Sequence, residues 1–274
     1  MGELTEHQLR RAAQDLMGHV IGKGGVADTV SAPDPAVAHH ARESQNALRA
    51  AVESTDSAIW LGSIVNRLLK VAEGKAVRGR WSMPAQDNLR AAVLFAGAGL
   101  DRALKRLVEE SLGRLVAVDD MTVAKLETFA TQSITDRSTG AVNPAQVVAL
   151  FLSAGETPRE VLTSRWIRSL TDGSAQSSER VTEIASALGV TDPDLRKRIA
   201  PQAKKTLLEQ AFLTRNEIAH ELDVTKPQAE VRQPLERIRR ARSITDVQTY
   251  CQELLDVTQM IINDVSRRLK PADG

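Results

Sequence analysis

The stretch 84-PAQDNLRAAVLFAGAGLDRALKRLVEESLG-113 decides the fold class. Its residues Leu89, Val93, Ala96, Leu100, Leu104, Leu107 and Leu112 recur mostly at steps of three and four, which lines one side of a long helix with apolar groups. Pro84 suits the first helical turn, where its missing N–H costs nothing. The segment AGAG, Ala96 to Gly99, works against the helix by about 1 kcal/mol per glycine relative to alanine. Something must need those missing side chains, and close approach of a neighbouring helix is the simplest reason.

Outward from this stretch the same period repeats. Asp34 as N-cap, Pro35 at the first helical position and Gly74 as a stop frame a long helix. Its stripe is Val37, Ala41, Leu48, Val52 and Ile59, and it needs a partner to cover it. Between Asp119 and Gly189 shorter helices are separated by DRSTG, NPA, ETP and TDGSAQSS, with starts at Asn143-Pro144 and Thr157-Pro158. Leu207, Leu208, Ala211, Ile218 and Leu222 define a helix between Gln202 and Asp223. A last helix opens at 243-SITD-246, with Ser243 able to cap, and carries a seam of Val247, Cys251, Leu254, Thr258, Ile261 and Val265. Few β-branched runs and 3% aromatic residues argue against sheet. The expected fold is all-α, an antiparallel helical bundle over 77–270 with an N-terminal helical extension over 1–76. That extension starts with a capped helix from Thr5 to about Gly18, followed by the linker GKGG, Gly22 to Gly25, which lacks the spacing of a phosphate loop.

The 274 residues are 42% hydrophobic and 26% charged with a net charge of +1, so no global field draws the chain to polyanions and any such partner must meet local basic clusters. Cys251 is the single cysteine and no Cys/His group has zinc spacing, so neither disulfide, metal nor cofactor is expected, and a reducing cytoplasm fits. The start MGELTEHQLRR has an acidic residue and no apolar core, and no run reaches about 18 apolar residues, so neither export nor membrane insertion is expected.

Chemistry concentrates in 213-LTRNEIAHEL-222. On a helix Arg215 and His220 lie about 140° apart, whereas Asn216 and His220 share a face at i and i+4, where the amide can hold one imidazole nitrogen. Arginine brings a permanent charge and a planar donor fork suited to phosphate, and histidine moves a proton near neutral pH. These are the components of phosphodiester cleavage without a metal.

RNEIAH, Arg215 to His220, resembles the signature of HEPN domains: arginine, a polar residue that is commonly Asn, Asp or His, three more residues, then histidine. DNLRAAVLFAGAGLDRALKRLVEESL, Asp87 to Leu112, is similar to the first long helix of such domains, particularly the RiboL-PSP type, and the resemblance runs from about Pro84 to Lys270. It implies a bundle that dimerises so that two Arg/His pairs form one cleft, in many members a metal-independent endoribonuclease. His220 would then assist the ribose 2'-hydroxyl or protonate the leaving 5'-oxygen, Arg215 would stabilise the phosphate and Asn216 would orient His220. The tyrosine that nucleotidyl-accepting members carry two residues after the histidine is replaced here by Leu222. A bacterial defence or toxin–antitoxin setting follows, with the N-terminal helices as a regulatory, partner-binding or dimer-extending element and with room for an inhibitory or activating protein partner.

An RNA partner agrees with 232-RQPLERIRRAR-242, where Arg232, Arg237, Arg239, Arg240 and Arg242 face one acid, Glu236. The other reading of that run is a solvated flank whose arginines pair with acids of the preceding helix. Trp166 in RWIR is either a base-stacking platform or a core residue. A non-catalytic helical interaction or RNA-binding module, and a DNA-binding regulator resting on Ser178 to Arg198, are the rival functions.

Overall fold

The computed structural model describes residues 41–74, 81–136, 140–152, 155–200, 204–225 and 233–269. The expected helix from Thr5, the GKGG linker, the Asp34 cap, Val37 and Arg232 lie outside the described residues. Within them the fold is all-α: α1 (Arg42–Ala72), α2 (Met83–Val118), α3 (Asp120–Ile134), α4 (Pro144–Phe151), α5 (Pro158–Thr171), α6 (Ser178–Ala187), α7 (Pro193–Ile199), α8 (Leu207–Glu221), α9 (Leu235–Ile238) and α10 (Ile244–Arg268). Two isolated bridges, Thr135 to Val142 and Val224 to Arg239, are the extended pairings among these residues.

The described residues group into two compact units, each drawn from several stretches of the chain. The first takes residues 49–74, 81–99, 207–225 and 233–256. Residues 49–74, placed by the sequence in an N-terminal extension, thus group with the start of α2 and with α8. Ala51 of α1 explains Gly99: a Cβ on that glycine would come within 2.0 Å of the Ala51 Cβ. Close helix approach is therefore what this glycine serves. For Gly99→Ala two effects compete, a gain of about 1 kcal/mol in helix propensity and an overpacking loss of about 1–3 kcal/mol. At a 2.0 Å overlap between two backbone-anchored methyl groups the second wins. Urea denaturation is expected to show a net loss of up to about 2 kcal/mol, with most of it regained when Ala51→Gly is added.

The second unit takes residues 41–48, 257–269 and the described part of 100–206. Here α3 packs against α4, α5 and α6, and α6 against α7. The proline-marked starts behave as the sequence expects. Asn143 accepts from the amides of Ala145 and Gln146, and Thr157 with Glu160 forms a reciprocal capping box. Ser177 caps α6 by accepting from the Arg180 amide, and Asp192 caps α7 by accepting from the amides of Asp194 and Leu195. Val181, Ile184, Leu188, Leu195 and Ile199 are buried, so the α6–α7 pair spends its apolar faces on packing. Trp166 is buried and stacks on Phe129 with ring centroids 5.9 Å apart, which gives it to the core rather than to a base.

The stripe of α2 from Leu89 to Leu112 is completely buried, as are Val247, Cys251 and Leu254 in the first unit and Thr258, Ile261 and Val265 in the second. The helix α2 runs past Gly113 to Val118. Leu115 and Val116 continue the buried stripe, and burying them at about 1.5–3 kcal/mol each exceeds the glycine penalty.

Candidate functional site

Every residue of the candidate site belongs to the first unit. Helix α8 buries Leu208, Ala211, Phe212, Thr214 and Ile218. This leaves a stripe of Leu213, Asn216, Glu217 and His220 on another side at helical spacing, with Leu213 43% exposed. His220 falls in the last turn of α8 and is exposed. Among the described residues its ring makes no hydrogen bond.

Arg215 is half-buried, and its stem crosses α2 at Gly97, where a Cβ would come within 3.2 Å of the Arg215 Cγ. The two glycines of AGAG thus serve two neighbours, Gly99 the Ala51 methyl group of α1 and Gly97 the Arg215 side chain of α8. The guanidinium donates through Nη1 to Asn216 Oδ1 at 3.0 Å. This differs from the pairing expected of Asn216. It shares a face with His220, yet its carbonyl is taken by Arg215, and no hydrogen bond joins it to the imidazole among the described residues. The adjacent cation is the stronger partner for an amide oxygen.

The basic run resolves residue by residue. Arg237 is exposed, and its side chain makes no ion pair among the described residues. Arg239 donates through Nε to the Leu222 carbonyl at 2.8 Å and pairs with Asp87 at 3.0 Å. Arg240 and Arg242 both reach Oε2 of Glu217, at 2.8 and 2.7 Å. Arg242 also donates through Nε to Asp223 at 3.1 Å and through Nη2 to the same carboxylate. Three of the five proposed RNA contacts are therefore engaged by acids of the fold, two of which, Glu217 and Asp223, lie in or just after α8. Arg240, its side chain 48% exposed, is the one of these three open enough to meet a phosphate as well.

Behind them lies a cluster that sequence spacing does not announce. Asp223 has a side-chain exposure of 0% and receives Arg90 Nε at 2.8 Å from α2 as well as Arg242. Burial pushes its carboxyl up, but hydrogen bonds from Arg242 and then Arg90, with their charges, outweigh that and hold it below the usual carboxylate range. Burial likewise works against the Arg242 cation, and Asp223 and Glu217 more than offset it. Arg242 is also tied by its backbone, its N–H donating to Gln86 Oε1 at 2.7 Å and its carbonyl accepting from Gln86 Nε2 at 3.0 Å. The two residues that end α8, Leu222 and Asp223, take left-handed φ of 50° and 60°, a conformation costing L-residues about 1–2 kcal/mol each. The signal in the sequence that could have drawn attention to Asp223 is an acid directly after the helix in front of a basic run.

One other reactive group stands apart from this cluster. Burial, and after it the charge of Asp56, push the Cys251 thiol up to about 12, so it stays protonated at neutral pH and packs as a small apolar group. No three His, Cys, Asp or Glu side chains come together as a metal site among the described residues. No described helix is long and apolar enough to cross a membrane. Comparison with protein-family models, with curated proteins and with solved structures found no match.

Proposed function

We propose that the chain is a metal-independent endoribonuclease of the HEPN type, acting as a homodimer in a bacterial defence or toxin–antitoxin setting in the cytoplasm. The observation that carries this reading is His220 itself. In the segment Arg-Asn-x-x-x-His, the ring stands exposed on the last turn of α8, with no intramolecular partner among the described residues, while Arg215 is anchored over Gly97 and held by Asn216.

In the proposed reaction one imidazole removes the proton of a ribose 2'-hydroxyl as O2' bonds to phosphorus. A second imidazole protonates the departing 5'-oxygen, leaving a 2',3'-cyclic phosphate and a 5'-hydroxyl. Arg215 neutralises charge on the phosphoryl oxygens. Asn216 acts by aiming the guanidinium rather than the imidazole. Since one chain brings a single histidine in this setting, two proton transfers call for a second copy, and the exposed Leu213 on the His220 stripe gives such a copy an apolar contact. Among the described residues of the basic run, Arg237 and Arg240 are the cations left to meet flanking phosphates, with Arg239 and Arg242 assigned to the fold.

A second reading, a non-catalytic interaction module, is favoured by one separate feature: Trp60, Leu61 and Leu68 stand exposed along α1, a surface of the kind that binds a protein partner. Single-stranded RNA incubated with the protein in EDTA separates the two. The nuclease reading expects cleavage with 2',3'-cyclic phosphate ends and intact DNA of the same sequence, because DNA lacks the attacking hydroxyl. RNA left whole at stoichiometric enzyme, with the dimer confirmed in solution, would favour the interaction module.

A further inference from the structure

We propose that Glu217, Asp223 and Arg242 are positioning residues, forming a clasp that fixes the His220 turn of α8 against Gln86 and Arg90 of α2. This rests on the reading of His220 as the proton-transfer group. A ring with no hydrogen bond of its own is placed by its backbone alone, and the last turn of a helix is where backbones fray. His220 sits three residues after Glu217 and three before Asp223, so the clasp grips the turn on both sides of it.

The grip is direct. Arg242 bridges the two acids, meeting Glu217 at 2.7 Å and Asp223 through Nε at 3.1 Å. It is itself held to Gln86 by paired backbone contacts at 2.7 and 3.0 Å. Arg90 adds a second cation to Asp223 at 2.8 Å. Main-chain bonds run along the same seam. The Arg240 amide donates to the Asp223 carbonyl at 2.8 Å, and Thr225 N–H to the Ile238 carbonyl at 2.8 Å. The turn is closed by Leu222 N–H to Ile218 O at 3.1 Å, Asp223 N–H to Glu217 O at 3.2 Å and Val224 N–H to Glu221 O at 2.9 Å. Four arginines, 90, 239, 240 and 242, meet three acids, Asp87, Glu217 and Asp223, so the clasp leaves one positive charge over, next to the turn that would carry the substrate phosphate.

The variant that tests it is Glu217→Ala in the full chain, because Glu217 is 34% exposed in its side chain and its loss leaves Asp223 paired. Amide hydrogen exchange at Leu222, Asp223 and Val224 is expected to speed up by about tenfold or more, with the Cys251 amide in α10 unchanged. RNA cleavage is expected to lose about 10–100-fold in kcat with KM within about threefold, the signature of a misplaced group rather than of lost binding. Glu217→Gln, which still accepts hydrogen bonds from both arginines, should recover most of both. Unchanged exchange in Glu217→Ala overturns the clasp. Faster exchange with unchanged kcat overturns the positioning role. A wild-type protein that cleaves no RNA sinks the nuclease reading, and the exchange result then decides the clasp by itself.

Discussion

His220→Ala is expected to lower the rate of RNA cleavage by about 10²–10⁴-fold, the usual contribution of a positioned acid or base. The loss should come without a stability change, since the ring is exposed and makes no hydrogen bond among the described residues. Equal melting curves for the two proteins would therefore be part of the result, and a fall in helicity would make the comparison meaningless. Arg215→Met should cost about 10²–10³-fold, on the scale of removing one donor to a developing oxyanion. It should also change stability slightly, because the Arg215 stem packs on Gly97. Mixing adds a test of the composite cleft. If each cleft needs one histidine from each of two copies, dimers containing one His220→Ala chain are dead. Activity in a subunit-exchanged mixture then falls as the square of the wild-type fraction. A linear fall means that each chain works alone, which removes the reason for a second copy, and full activity in His220→Ala ends the enzymatic account.

The parts of this molecule that were legible in sequence are those with local periodicity. The α2 stripe from Leu89 to Leu112 and the α10 seam from Val247 to Val265 announce their buried faces through spacing alone. Asn143 and Thr157 announce helix starts because a cap and its amides are neighbours in the chain. The AGAG segment announced a close approach without saying whose. That Gly99 serves Ala51 and Gly97 serves Arg215 depends on which helices meet. The basic run shows the same limit more sharply. Five arginines in eleven residues give the sign of the local charge, but not whether the counter-charge is a nucleic acid or the protein's own carboxylates. Asp223 lies 133 residues from Arg90 and 19 from Arg242, and Asp87 lies 152 residues from Arg239 (239 − 87), so no local window pairs these charges. The Asn216 contact is hidden for a related reason. Helical spacing puts Asn216 beside His220, and only the conformation of Arg215 determines that the guanidinium reaches it first.

Asp223→Asn is expected to be the most destabilising polar substitution in the first unit. Asparagine keeps the size of aspartate and tolerates the left-handed backbone at φ 60° about as well, so the exchange removes charge and little else. What remains is a neutral amide facing Arg90 and Arg242, which are themselves nearly buried at 4% and 8% side-chain exposure. Breaking a buried pair from one side costs about 3–5 kcal/mol. Here Asp87 still partners Arg90 and Glu217 still partners Arg242, so the lower end of that range is expected in urea denaturation at neutral pH. The effect should also depend on pH in a defined direction. Burial raises the Asp223 carboxyl, the arginines more than reverse this, and the folded value lies below the unfolded one. A carboxyl held low stabilises the fold fully above its unfolded value of about 4 and loses that contribution as pH falls through the folded value. The gap between wild type and Asp223→Asn should therefore be constant around neutrality and shrink below about pH 4, where wild-type Asp223 is also becoming neutral. A gap that stays the same or widens on acidification would mean that the loss came from shape and hydrogen bonding rather than charge.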